Sequence, residues 1–166
     1  MRCYFSPLAA VAICSLLLTG CASHGPVANV PASFSSPALD SSYRDPVLER
    51  ALTLTGTPYR YGGNTPDGMD CSGFVGYVFQ ESTGFRFPHN TAMIAKLSKP
   101  VSKSSLKPGD FVFFNTYKPY SHMGIYIGNN EFVHAPSSRN NGKVRVDSLN
   151  SRYFAERFED ARTAFQ

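Results

Sequence analysis

Asp70-Cys71-Ser72-Gly73-Phe74-Val75 marks the point at which a glycine-rich loop gives way to a helix. Apolar residues at 74, 75, 78 and 79 repeat at helical spacing towards Gly84, so a buried helix is predicted to begin near Cys71. A thiol at a helix N-terminus lies beside unpaired backbone N–H groups and the positive end of the helix dipole, both of which favour the thiolate. The alternative interpretation is a small buried core residue.

Helices are predicted on both sides of this segment. Asp45-Pro46 is typical of a helix start, with Asp45 as the N-cap and proline at the first helical position. An apolar stripe follows it, and Gly56-Thr57-Pro58 ends the helix. Asn90-Thr91 is expected to cap a short helix that runs to Leu97.

The second half of the chain changes to short apolar runs bounded by turns. Strands are predicted at 110–114, 122–127, 131–135 and 143–146, with a fifth near 162–165. Helices followed by antiparallel strands give an α+β fold, with N-terminal helices packed on an antiparallel sheet of about five strands.

Two histidines fall on adjacent predicted strands, and the hairpin register decides whether they share a face. A three-residue loop, Gly128-Asn129-Asn130, places His122 and His134 on the same face, whereas a two-residue loop separates them. In the first register Gly124 lies opposite His134 and leaves room for its ring. Cys71, His122 and His134 can then act as nucleophile, base and orienting residue.

The same residue types also bind zinc, so a metal site is the competing interpretation. The sequence has neither a C-x₂-C nor an H-x₃₋₅-H spacing, and the three candidate ligands lack a nearby acidic partner. We therefore expect no metal and no cofactor.

Composition limits the broader class of protein. The chain has 166 residues, 42% of them apolar, which is enough for one core. Its net charge of +4 is small and scattered, so no nucleic-acid partner is predicted.

The N-terminal segment is typical of a secretory signal. A basic start, an apolar run from Leu8 to Leu18 and the sequence Leu18-Thr19-Gly20-Cys21 resemble a bacterial lipoprotein signal, in which cleavage leaves a lipidated Cys21. Interpreted as a lipoprotein signal, this segment predicts a signal peptide at 1–20 and a folded domain at 44–166. Between them, residues 21–43 are rich in Ser, Ala and Pro and are predicted to form a flexible tether. This interpretation leaves Cys71 as the sole free thiol in an oxidising compartment, where an unpaired cysteine is unusual.

Four motifs in order identify a resemblance. They are the segments 56–63 (Gly-Thr-Pro-Tyr-Arg-Tyr-Gly-Gly), 70–75, 106–110 (Leu-Lys-Pro-Gly-Asp) and 122–135 around the two histidines. Together they resemble the NlpC family of cell-wall cysteine endopeptidases, and especially the murein endopeptidase lipoproteins of Gram-negative bacteria.

The resemblance implies a papain-like α+β fold that hydrolyses stem-peptide amide bonds of peptidoglycan. It assigns Cys71 as nucleophile, His122 as base and His134 as third member, with Tyr59 as an oxyanion donor. Asp70 and Ser72 match positions that the family uses for substrate contact, although helix capping explains both equally well. Ala22 after Cys21, in place of Asp, implies the outer membrane, so the expected location is its periplasmic face.

Two alternatives stay open from the sequence. A non-catalytic envelope lipoprotein could use the same cleft to bind peptidoglycan or a partner, and the same triad could serve amidase or acyl-transfer chemistry. The bond that is cut, either D-glutamyl to diaminopimelate or the D-alanyl cross-link, is not encoded in a readable motif.

Overall fold

The computed structural model describes residues 36–137 and 142–166. The predicted signal peptide, Cys21 and the tether as far as residue 35 lie outside these ranges. Within the two described ranges, none of the helices has the length and apolar character needed to cross a membrane.

The described chain forms four α-helices and eight strands. The helices are α1 (Arg44–Thr53), α2 (Cys71–Thr83), α3 (Thr91–Leu97) and α4 (Arg152–Ala155). The strands are β1 (Asn64–Thr65), β2 (Gly68–Met69), β3 (Lys99–Val101), β4 (Phe111–Phe114), β5 (His122–Gly128), β6 (Glu131–His134), β7 (Arg145–Ser148) and β8 (Phe158–Thr163).

Six strands form one antiparallel sheet in the order β3-β8-β4-β5-β6-β7, while β1 and β2 form a separate hairpin. The α+β class with N-terminal helices on an antiparallel sheet is therefore confirmed, with six strands in place of about five. The additional strand is β3, a sheet edge that contains Pro100. An edge strand tolerates proline, which has no backbone N–H, because one side of the strand has no neighbour that needs a donor.

The helix signals at α2 and α3 are confirmed by their caps. Asp70 accepts a hydrogen bond from the Gly73 N–H at 2.8 Å, and Asn90 accepts one from the Met93 N–H at 3.0 Å. Gly84 ends α2 in the left-handed conformation, with a φ of 75°. These caps fix the first turn of α2, and with it Cys71.

The predicted cap of α1 is wrong by two residues. The helix begins at Arg44, after Tyr43, and Asp45 lies inside its first turn. Asp40 caps instead the short 3-10 turn Ser41–Tyr43, by accepting a hydrogen bond from the Ser42 N–H at 2.8 Å. That turn runs directly into α1. The capping carboxylate is therefore that of Asp40, upstream of the Asp45 that was predicted from its position before Pro46.

The β5–β6 hairpin contains both of the loops considered from the sequence. Asn129 and Asn130 form a two-residue turn with φ values of 52° and 59°, closed by the pair Gly128↔Glu131. A bulge between Tyr126 and Gly128 then shifts the register by one residue. The strands therefore pair as Ile125↔Val133 and Tyr126↔Phe132, the register predicted to put both histidines on one face.

Both faces of the sheet are covered. Phe111 and Phe113 of β4 belong to the core under α1 and α2, whereas Val112 and Phe114 belong to a second core on the opposite face, with Phe154 of α4. A strand buried on both faces reads as a continuous apolar run, as β4 does.

The two ends of the described chain pack against each other. The Leu39 N–H donates to the Ala164 carbonyl at 3.0 Å, and the Gln166 N–H donates to the Leu39 carbonyl at 2.9 Å. Ala38 and Leu39, which composition assigned to the tether, thus contact the C-terminal segment. The short apolar run of Pro37 to Leu39 allows this, because Pro37 is buried and Leu39 packs on the main core.

Candidate active site

Cys71 is the first residue of α2 and is partly buried at the floor of a cleft of about 450 Å³. The cleft is also lined by Tyr59, Asp70, Ser72 and His122. The structure therefore brings five of the six predicted site residues of the domain to one cavity. The sixth, His134, is fully buried behind His122.

The loop before α2 is held against the first helical turn by Asp70. Its Oδ1 accepts hydrogen bonds from the Gly73 N–H and the Ser72 hydroxyl and lies 2.7 Å from His89 Nε2, while its Oδ2 accepts one from the Gly62 N–H at 3.0 Å. A carboxylate with this many partners acts as a rigid cap. Asp70 thereby orients the thiol whether or not it also meets substrate.

The approach of this loop to α2 requires glycine. A Cβ on Gly73 would lie 2.0 Å from the Gly63 carbonyl oxygen, closer than atoms can pack. The motif residues Gly63 and Gly73 thus allow the loop that carries Tyr59 to lie directly against the start of α2.

Two histidines and a carboxylate form a continuous chain of hydrogen bonds. His122 Nε2 lies 2.7 Å from His134 Nδ1, and His134 Nε2 lies 2.8 Å from Asp147 Oδ2. Arg145 Nε donates to the same carboxylate oxygen at 2.8 Å. His134 thus lies hydrogen-bonded between His122 and Asp147, and its role as the orienting residue of a triad stays a prediction.

A second cavity of about 370 Å³ adjoins the Cys71 cleft at His122. It shares Thr116, His122 and Ser137 with the Cys71 cleft and extends to Arg145 and Tyr153. The two cavities therefore meet at His122.

Burial decides the protonation state of the thiol. It raises the pKa of Cys71 to about 11, and the Asp70 carboxylate acts in the same direction. The backbone N–H groups of Ser72 and Met123 lower this pKa but do not outweigh burial. The N–H groups at the start of α2 thus favour the thiolate as expected, but desolvation outweighs them and raises the pKa of the thiol.

The histidines are held neutral for the same reason. Burial lowers the pKa of His122 to about 3, with further lowering by His134 and Arg145 and an opposing effect from Asp147. Burial also lowers the pKa of His134. A neutral thiol thus shares the cleft with a neutral imidazole that can accept its proton.

Tyr59 remains a hydroxyl donor at neutral pH. Burial raises the pKa of its phenol, and the Cys71 thiolate, where it forms, and the Asp70 carboxylate act in the same direction. A protonated phenol on the wall of the cleft can donate a hydrogen bond to an oxygen bound near Cys71.

Asp147 and Arg145 are the site residues that the sequence did not predict. They lie on one face of β7, where Arg145 pairs with His134 and Asp147 with Phe132 of β6. Their alternation around Val146 and the turn signal Asn141-Gly142 are the available signals, but the connection 135–144 is too long for that turn alone to fix the register of β7.

Potential metal ligands do not cluster in the described part of the chain. Within residues 36–137 and 142–166, no three His, Cys, Asp or Glu side chains are arranged to hold a metal ion.

Residues 56–163 match the model of the NlpC/P60 family. The chain belongs to the NlpC/P60 family. This NlpC/P60 segment contains the loop with Tyr59, Cys71 and both histidines, so the matched region coincides with the cleft.

Individual relatives agree with this assignment. Murein DD-endopeptidase MepS/Murein LD-carboxypeptidase of Escherichia coli K12 is 40% identical over 116 residues, 70% of this chain and 60% of the relative. Probable endopeptidase NlpC of the same organism is 36% identical over 155 residues, which is 92% of this chain and 96% of the relative. The chain thus spans about 60% of MepS and nearly all of NlpC.

A solved structure gives the same fold. The NlpC/p60 domain of the peptidoglycan hydrolase SagA is 29% identical, with a TM-score of 0.64 over 72% of this chain and 97% of that domain. The α+β fold observed here is therefore the fold of the NlpC/P60 domain.

Proposed function

We propose that the chain is a cysteine endopeptidase that hydrolyses amide bonds in the stem peptides of peptidoglycan. The observation that carries this proposal is the placement of Cys71 and His122 in one cleft, with His134 hydrogen-bonded behind His122. The MepS and SagA names support the same substrate class.

In the proposed reaction the Cys71 sulfur attacks the amide carbonyl carbon while its proton passes to His122. The carbon–sulfur bond forms, and the oxyanion accepts hydrogen bonds from the Tyr59 hydroxyl and a backbone N–H at the start of α2. His122 then returns the proton to the departing amine as the carbon–nitrogen bond breaks, which leaves a thioester. A water molecule activated by His122 hydrolyses the thioester and regenerates the thiol.

The neutral resting state fits this sequence of steps. A thiol of raised pKa and an imidazole of lowered pKa form an ion pair only when the reaction supplies the driving force. Proton transfer to His122 therefore accompanies attack, and His122 acts as a general base towards a thiol.

The role of Asp70 and Ser72 in substrate binding is part of the proposal. Both line the cleft beside Cys71, and Asp70 is ionisable and 9% exposed. A stem-peptide ammonium group that reached the Asp70 carboxylate would share it with His89 and the Gly73 N–H.

We also propose a lipid anchor at Cys21 and a location at the periplasmic face of the outer membrane. Support comes from the lipoprotein-like sequence Leu18-Thr19-Gly20-Cys21 and from Ala22. Two or more acyl chains anchor a protein stably. Labelling of cells with radioactive palmitate should mark the parent protein but not Cys21→Ala, and a labelled variant would contradict the anchor.

The proposed activity is tested on purified peptidoglycan sacculi. The parent chain should release muropeptides with new peptide ends, and mass spectrometry of those ends identifies which stem-peptide bond is cut. Cys71→Ala should release none, because the nucleophile is absent.

The matched control is Cys21→Ala, which removes a different thiol and should retain the parent's activity in solution. Unchanged product release by Cys71→Ala would exclude the mechanism. Binding of sacculi without release of products by the parent chain would favour the non-catalytic alternative.

A further inference from the structure

A carboxylate ends the chain of hydrogen bonds that begins at His122. His134 is fully buried, and both of its ring nitrogens have partners, His122 Nε2 at 2.7 Å and Asp147 Oδ2 at 2.8 Å. Such a closed chain restricts where the protons can be, because each short contact needs one donor and one acceptor.

The carboxylate fixes the first proton. Hydrogen bonds from His134 and Arg145 outweigh burial and lower the pKa of Asp147, so it is ionised and can only accept. His134 Nε2 must therefore carry a hydrogen. Because burial keeps His134 neutral, its Nδ1 is left as an acceptor.

The position of the proton on His122 follows from the position of the proton on His134. His122 Nε2 faces the His134 Nδ1 acceptor and must donate to it, so the single proton of neutral His122 is on Nε2. The lone pair of His122 is then on Nδ1. That nitrogen is the one left to accept a proton from Cys71, with which His122 shares the cleft.

We propose that Asp147, held in place by Arg145, is a positioning residue that fixes the tautomers of both histidines and leaves His122 Nδ1 free as the base. The catalytic consequence rests on the proposed peptidase function, whereas the tautomers are a property of the folded chain alone. Asp147 acts through His134: it lines the second cavity together with Arg145 but does not line the Cys71 cleft.

Arg145 determines how a substitution at 147 would behave. Oδ2 of Asp147 accepts from both Arg145 Nε and His134 Nε2, so an asparagine at 147 would have to turn its carbonyl oxygen towards these two donors. Asp147→Asn thus keeps the tautomers and loses only the charge. Asp147→Ala removes the acceptor, and His134 becomes free to carry its proton on Nδ1.

A purely structural role is the alternative to be separated. Asp147 lies on β7 and could simply stabilise the pairing of β6 with β7. A structural residue would change stability without changing which imidazole nitrogen carries a proton, so a measurement of tautomers distinguishes the two roles.

The first experiment is nitrogen NMR of the full chain labelled with ¹⁵N-histidine, in a Cys71→Ala background in which no turnover occurs. Resonances of His122 and His134 are assigned by single replacement with glutamine. The parent and Asp147→Asn should have both histidines protonated on Nε2, whereas Asp147→Ala should have a mixture of Nδ1-H and Nε2-H forms. A parent protonated on His122 Nδ1, or an Asp147→Ala spectrum identical to that of the parent, would overturn the proposal.

The second experiment measures kcat and KM on sacculi-derived muropeptides with Cys71 intact. Partners that orient a metal-bound imidazole contribute roughly 10- to 100-fold to activity, and we expect an effect of similar size here, so Asp147→Ala should lose about that much in kcat with KM changed less than about twofold. Asp147→Asn should lose less.

The matched control is Asp110→Asn, which breaks a buried ion pair of similar length, 2.9 Å to Arg44, away from both cavities. It should lower stability with kcat unchanged, and an equal loss of kcat in Asp110→Asn would overturn the proposal. A parent chain with no activity would refute the proposed function and leave the NMR result to decide the tautomers.

Discussion

At the scale of single residues, Cys71 has surroundings that oppose the charge its chemistry requires. Desolvation raises the thiol pKa to about 11, although the Ser72 and Met123 N–H groups face the sulfur. A rigid cleft with these donors in place is suited to stabilise negative charge once substrate supplies the driving force. The resting enzyme should therefore be poorly reactive towards simple electrophiles.

We predict that alkylation of Cys71 by iodoacetamide continues to accelerate as the pH rises through 9. The reacting species is the thiolate, whose fraction grows about tenfold per pH unit below the pKa. The measurement is the alkylation rate in the full chain, followed by mass spectrometry of the peptide that contains Cys71.

A thiolate already paired with protonated His122 would behave differently. Its alkylation rate would reach a plateau below pH 7, and such a plateau would contradict the neutral resting state. His122→Gln serves as the control, because the rise of the rate with pH should persist when this imidazole is absent.

The residues of the cleft differ in how far the sequence could predict them. Cys71, His122 and His134 were found because short-range signals, a helix cap and a hairpin turn, determine their positions. The protonation state of the Cys71 thiol could not be predicted from such signals, because desolvation depends on the whole surrounding fold. Asp147 was missed because a long connection separates it from β6.

At the scale of elements, the β5–β6 hairpin depends on Gly124. A Cβ at this position would lie 2.7 Å from the Phe132 ring, 2.8 Å from the Val133 carbonyl oxygen and 3.0 Å from His134 Cβ. The glycine thus allows β5 and β6 to pair while His134 packs between them, as the predicted register required.

Gly124→Ala should therefore destabilise the fold by about 1 to 3 kcal/mol, the usual cost of overpacking a core. It should also lower kcat, since the added Cβ would lie 3.0 Å from His134 Cβ and would displace that residue. Denaturant unfolding measures the first effect and muropeptide release the second.

The matched control is Gly76→Ala in α2, where the added Cβ meets nothing within 4 Å. It should stabilise the fold by about 0.5 to 1 kcal/mol, because alanine is the better helix former. Similar free energies of unfolding for the two variants would refute the steric role of Gly124.

Elements with strong local signals were predicted closely, and the others were not. Helices α2 and α3 have polar caps, and β4 to β6 are apolar strands with defined turns. Strand β8, expected at 162–165, runs from Phe158 to Thr163 and contains Glu159, Asp160 and Arg162. It is a strand because β3 and β4 pair with it on both sides, which the local sequence does not encode.

At the scale of the whole molecule, the ends of the described chain are joined on the side of the sheet that carries the helices. Arg44 at the start of α1 pairs with buried Asp110 at 2.9 Å and lies over the Phe165 ring at 4.3 Å. The α2 helix that carries Cys71 packs against α1. This closure stabilises the packing of α1 and the C-terminal segment on the core.

The sheet contributes two buried neutral histidines, and folding is therefore linked to pH. Unfolded histidine has a pKa of about 6.5, whereas burial lowers that of folded His122 to about 3 and also lowers that of His134. Between these values the unfolded chain binds more protons than the folded chain, so stability rises with pH in this window and is lost on acidification.

We predict that the free energy of unfolding falls between pH 7 and pH 5, with His122 alone accounting for about 2 kcal/mol and His134 adding in the same direction. Denaturant unfolding of the full chain at the two pH values measures the change.

The stability of His122→Gln should be less sensitive to pH, because its side chain cannot take up a proton in either state. Ala51→Gly in α1, which is destabilised without the loss of a histidine, should retain the parent's pH dependence. Equal pH dependence in the parent and His122→Gln would mean that His122 is not held neutral by the fold.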